Sequence, residues 1–123
     1  MTPKAFDQAC RALPAVTMDH PWGDDEVYKV GGRMFAVTGP SGGLSIKVSD
    51  IAFEMLKDRR GLRPAPYLAS RGLKWIQHFG KSGLSDAALR DYIRQSHAIV
   101  AQGLSKKRRV ALGLDAPGTR RGG

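Results

Sequence analysis

The stretch that most constrains this chain is residues 21–36, PWGDDEVYKVGGRMFA, which reads as a turn, a strand, a two-residue glycine turn and a second strand. Val27-Tyr28-Lys29-Val30 is rich in β-branched and aromatic side chains, and Met34-Phe35-Ala36-Val37 answers it. Gly31-Gly32 lies between them, and glycine accepts the positive φ that a tight type I′ or II′ hairpin demands. A two-residue loop fixes the register, with Val30 opposite Arg33, Lys29 opposite Met34 and Tyr28 opposite Phe35. Strand alternation then puts Tyr28, Val30, Phe35 and Val37 on the predicted core face, and Val27, Lys29, Met34 and Ala36 on the other. The second face carries a lysine on a half-apolar surface, which makes it the first place to look for a partner.

The flanking chain supplies layers for this hairpin. Thr2-Pro3 is a helix start, a hydroxyl N-cap followed by proline at the first helical position. Phe6, Ala9, Cys10 and Leu13 follow on one apolar stripe until Pro14. Residues 15–18 read as a short strand. Residues 39–43, GPSGG, form a second hairpin loop; no Gly-Lys-Ser/Thr opens a helix there, so it is a turn rather than a phosphate cradle. Leu44, Ile46 and Val48 then alternate towards the core. Ser49 caps a second helix, with Ile51, Ala52, Met55 and Leu56 as its predicted buried stripe. Residues 63–67, RPAPY, are stiff and extended, with a weak strand predicted at Tyr67-Leu68, and residues 74–79 form the last strand. Ser85-Asp86 opens the final helix, where Leu89, Tyr92, Ile93, Ser96 and Val100 share a stripe. The order is α-β3-α-β2-α: an α+β two-layer sandwich, mostly antiparallel, with the helices on one face of the sheet. The domain is expected to span residues 1–103, followed by a basic, flexible tail at residues 104–123.

Composition narrows the function classes. At 123 residues the chain is one domain, and its apolar runs are too short to cross a membrane. No secretory leader is apparent and the single cysteine, Cys10, cannot form an internal disulfide, so the expected location is cytoplasmic. His20, His78 and His97 lack metal-ligand spacing, and Asp24-Asp25-Glu26 reads as a solvated turn. Ser96 and His97 are consecutive on a helix, so their side chains diverge by about 100° and cannot pair as nucleophile and base. No catalytic residue, metal or cofactor is expected. The net charge of +9 is the strongest bulk signal, and +5 of it comes from residue 104 onward. Such a balance favours nucleic acid or acidic surfaces. Lys29, Arg33, Lys47, Arg63, Arg71 and Lys74 are candidates for a phosphate-binding surface, reinforced by Lys106, Lys107, Arg108 and Arg109.

Leu13-Pro14, Pro21-Trp22-Gly23, the run VYKVGGRMFA at residues 27–36, Leu44-Ser45-Ile46-Lys47, PAPYL at residues 64–68, Trp75 and Ser96-His97 together resemble the MmcQ/YjbR family of small bacterial proteins. The resemblance covers about residues 3–103. Arg33 stands where members often have lysine, and His97 where tyrosine commonly follows the serine. It implies a fold similar to type III secretion chaperones, and DNA binding through a double wing of hairpins. The wings here would be residues 27–38 and the loop at residues 39–43. Lys29, Arg33 and Lys47 would contact phosphates, with Lys74 and Trp75 nearby on the same sheet. The expected function is a non-enzymatic DNA-binding module with no membrane partner. Two alternatives stand beside it. One is a chaperone-like or adaptor domain that binds a protein partner or forms a homodimer. The other is a small-ligand or enzymatic domain with a pocket near Trp22, Tyr67 and Trp75.

Overall fold

The computed structural model describes residues 1–40, 43–66, 68, 72–79 and 83–114. The first helix, α1 (Pro3–Arg11), starts where the Thr2 hydroxyl accepts the Ala5 N–H at 3.1 Å. There follow β1 (Val16–Asp19), β2 (Glu26–Val30), β3 (Arg33–Thr38), β4 (Leu44–Lys47), α2 (Asp50–Leu56), β5 (Leu62–Pro64), β6 (Trp75–His78), α3 (Asp86–Gln102) and α4 (Lys106–Ala111). The strands form one antiparallel sheet in the order β1-β2-β3-β4-β6-β5. Helix α3 packs across β2, β3 and β4, α1 packs on α3 and β1, and α2 on β5 and β6. Between these layers lies the core, where Phe6, Tyr28, Phe35, Ile46, Ile76, Leu89 and Ile93 are at most 2% exposed. Phe6 meets Tyr28 edge-on, with ring centroids 5.9 Å apart. The α+β class with helices packed against an antiparallel sheet is as the sequence predicts.

Four details differ from the sequence reading. First, the segment at residues 16–19 is a full edge strand, so four strands precede α2 rather than three. The fifth strand is Leu62–Pro64, not Tyr67-Leu68; Leu68 is in a turn and Tyr67 lies outside the described residues. Pro64 is tolerated because β5 is an edge strand, where the missing N–H breaks no ladder bond.

Second, the glycine hairpin holds its predicted register only next to the turn. Val30 pairs with Arg33 and Lys29 with Met34, but the register then shifts, and Tyr28 faces Ala36 instead of Phe35. Such a bulge lets consecutive residues reach the same side. Phe35 and Ala36 both join the core, and Val37 passes to the opposite face. Filling the space under α3 outweighs strict alternation.

Third, α2 is rotated from its predicted phase. Ala52 and Leu56 are buried, but Ile51 is 76% and Met55 65% exposed. The inward stripe runs instead through Ala52, Phe53 and Leu56.

Fourth, residues 104–114 are folded. Leu104 is 5% exposed, Ser105 caps α4, and Leu114 packs against the core. This segment has too little apolar content to fold alone, but it docks on the β2–β3 hairpin. The rest of the expected tail, residues 115–123, lies outside the described residues.

Candidate functional site

The glycine hairpin and the C-terminal end of α3 meet at one corner of the molecule. Gly31 has φ +61°, and a Cβ there would lie 2.5 Å from Leu104 Cδ1, so the bare turn is what lets Leu104 close over it. The last carbonyls of a helix lack intrahelical partners and carry partial negative charge. Arginines answer them here. Arg33 Nη1 donates to the Gly103 carbonyl at 3.5 Å, and Arg109 Nη1 donates to Leu104 at 2.6 Å and Gln102 at 3.4 Å. Arg108 Nη2 donates to the Gly31 carbonyl at 3.0 Å, tying α4 to the hairpin. Lys106 and Lys107 are exposed in the first turn of α4. No acidic residue occurs between Asp91 and Asp115 in the sequence, so this corner gathers positive charge without a neighbouring acid in its own segment.

The remaining candidates are dispersed. Lys29 and Lys47 belong to the face of the sheet away from the helices, where the Lys29 ammonium is 3.1 Å from Asp19 Oδ2. Lys74 Nζ sits 4.8 Å from the ring centroid of Phe53, on α2. Trp75 is opposite Lys47 in the ladder but only 2% exposed, so its ring offers no stacking face to a base. Arg63 Nε donates to Gln77 Oε1 at 2.7 Å, and its guanidinium lies over the Phe79 ring. Arg71 lies outside the described residues. The structure therefore brings together Arg33, Lys106, Lys107, Arg108 and Arg109, and separates them from Lys29, Lys47, Lys74 and Trp75. The signal for that grouping was present in the acid-free run after Asp91, but its docking partner, Gly31, is 77 residues before Arg108 in the chain.

The groups most easily mistaken for chemistry are occupied by packing. Cys10 is buried, and burial together with the charge of Asp7 pushes its thiol well above the usual range. Burial also raises the carboxyl of Asp7, but hydrogen bonds from Arg11 Nε (2.8 Å) and the Tyr28 hydroxyl (2.7 Å) outweigh it and hold Asp7 below its ordinary value. Burial and that same bond raise Tyr28. The Ser96 hydroxyl bonds to the Lys47 carbonyl and the Tyr92 carbonyl. His97 Nε2 is 2.8 Å from the Pro14 carbonyl, and its ring stands edge-on to Phe35. His78 Nε2 is 3.3 Å from the Leu84 carbonyl. Among the described residues, no group of three or more His, Cys, Asp or Glu side chains is placed to hold a metal ion, and no helix is long and apolar enough to cross a membrane.

A groove of about 600 Å³ opens on the sheet face away from the helices, lined by Trp22, Asp25, Ser45, Arg63 and Gln77 among others. Trp22 belongs to it, as the sequence reading of a pocket anticipates, but Trp75 is not in its lining; Tyr67 lies outside the described residues.

Comparison with known proteins adds two findings. The sequence model of the YjbR family matches residues 11–99. The fold is similar to the crystal structure of Deinococcus radiodurans protein DR2400, described by the family-model domain DUF419, with a TM-score of 0.81 and 26% identity. That match covers 98% of this chain and 96% of the other. No curated protein matches the chain.

Proposed function

The chain belongs to the YjbR family, and from that premise we propose that it is a non-enzymatic DNA-binding protein that holds the phosphate backbone through the corner built by the β2–β3 hairpin and α4. The family is not known as a family of enzymes. The observation that carries this reading is the docking of the basic run by Arg108 on Gly31, which sets exposed Lys106 and Lys107 beside Arg33. A folded array of cations can face several phosphates at once, whereas a loose tail must first be ordered. Arg33, Arg108 and Arg109 act mainly as caps of the turn and of α3, and Lys106 and Lys107 supply the contacts. Lys29 and Lys47 contribute less, because Lys29 is engaged by Asp19 and both are partly buried. Contacts of this kind position a protein on DNA without reading its sequence.

Fluorescence anisotropy with a labelled random duplex tests the reading. Replacing Lys106 and Lys107 by alanine weakens binding by about tenfold at moderate salt, with the thermal midpoint unchanged. Equal affinity for the two proteins overturns it. A second reading, a protein partner, is favoured by Ile51 and Met55, which sit one helical turn apart and exposed on α2. Its test is sedimentation and pull-down with an Ile51→Ser, Met55→Ser variant, where loss of a self-associated or captured species supports it and no change dismisses it.

A further inference from the structure

The groove on the far face of the sheet is separate from the basic corner and has a different chemistry. Its floor is a single cross-strand row: Val37 pairs with Ser45, Ser45 with Gln77, and Gln77 with Arg63. Three inter-strand steps make that row ~14 Å long. A volume of about 600 Å³ is that of a small-molecule site rather than of a solvent-sized dent. Trp22 stands on the β1–β2 connection at one wall, and the residue is 57% exposed. Exposure of so large an aromatic surface is costly unless something covers it.

The polar groups are of mixed type. Gln77 gives its Oε1 to Arg63 Nε, which orients its amide nitrogen towards Gly43; a Cβ at Gly43 would lie 2.5 Å from that nitrogen. Ser45 offers a hydroxyl and Asp25 a carboxylate, so donors and acceptors line one cavity. Arg63 is fixed by Gln77 and by the Phe79 ring beneath it, while its terminal nitrogens have no partner among the described residues. A guanidinium held in this way is suited to a phosphate or carboxylate.

We infer that this groove binds a mononucleotide. The base stacks on Trp22, its edge meets Ser45, Gln77 and Asp25, and the phosphate meets Arg63. A purely apolar ligand would leave Asp25 and Arg63 desolvated without compensation, and an inorganic anion would leave Trp22 and Val37 uncovered. A planar, hydrogen-bonding ring bearing an anionic group satisfies both ends. The same unit can arrive as a free nucleotide or as one residue of an unpaired strand.

Isothermal titration calorimetry with adenosine, guanosine and cytidine monophosphates tests this, with adenosine and inorganic phosphate as the separated halves. At least one monophosphate binds more tightly than either half. Trp22→Ala and Arg63→Met each weaken it by about tenfold, the scale of one lost stacking or charge-assisted contact. Lys106→Ala with Lys107→Ala leaves that binding unchanged, which separates this site from the basic corner. In that double variant, a short single-stranded oligonucleotide distinguishes the source. Binding by the strand alone, lost on Trp22→Ala, assigns the groove to a strand-borne nucleotide. The inference is overturned if neither monophosphates nor the strand bind, or if binding is indifferent to both Trp22→Ala and Arg63→Met.

Discussion

Ser96 is fully buried on α3, and its hydroxyl reaches the Lys47 carbonyl at the end of β4. The sequence reading has it as a small polar residue beside the sheet, and its partner explains why a hydroxyl rather than a methyl stands there. Ser96→Ala leaves a buried carbonyl without that donor and lowers stability by about 1–2 kcal/mol, measurable by urea unfolding. Asp7, Arg11 and Tyr28 form the other polar anchor, joining α1 to β2. Because the folded-state pKa of Asp7 lies below the ordinary 3.8, its contribution is present above that value and is lost as pH falls through the lowered one. Tyr28→Phe removes one of the two bonds that depress it. It is therefore destabilising by about 1–2 kcal/mol at neutral pH, and less so in acid. A difference between the two proteins that stays constant from neutral pH down through the carboxylate range contradicts this assignment. Neither the Ser96–Lys47 bond nor the Tyr28–Asp7 bond was legible in the sequence, because each joins segments that only the finished fold brings together, whereas Asp7 and Arg11 are one turn apart on α1.

Local signals locate the elements well where chemistry forces them. Thr2, Ser49 and Ser85 each accept a backbone N–H three residues ahead, as the capping pattern predicts. The Gly31-Gly32 turn is where two unbranched backbones demand it, and both residues have positive φ. What they touch separates them: a Cβ at Gly31 runs into Leu104, while one at Gly32 meets nothing within 4 Å. Gly32→Ala carries only the backbone strain, about 1 kcal/mol, whereas Gly31→Ala adds displacement of Leu104 and costs about 2–3 kcal/mol. Equal losses in thermal or chemical unfolding would contradict the docking of α4 on the turn. The phase of α2 and the bulge in β2–β3 were not legible. A seven-residue helix with apolar side chains at positions 51, 52, 53, 55 and 56 can be turned inward in more than one way, and the bulge is set by the volume of Phe35 beneath α3.

At the scale of the whole molecule, a two-layer sandwich followed from one hairpin, three capped helices and the alternation of residues 44–48. The grouping of charge did not follow. Read along the chain, Lys29, Lys47 and Lys74, with Trp75 beside them, are expected on one surface with Arg33. The sheet instead divides them between its two faces, and Trp75 is enclosed. The basic run beyond residue 104 looked like an appendage because its own apolar content is small, yet its arginines find carbonyls on α3 and the hairpin. The salt dependence of duplex binding distinguishes these two distributions of charge. For each phosphate contact removed, the slope of log K against log salt falls in magnitude by about 0.9. The decisive measurement compares that slope for the wild-type chain, the Lys106→Ala, Lys107→Ala variant and the Lys29→Ala, Lys47→Ala variant. Binding through the α4 corner predicts a drop of about two in the first variant and little change in the second. A slope that is unmoved by the first variant and reduced by the second would contradict it and return the DNA surface to the open face of the sheet.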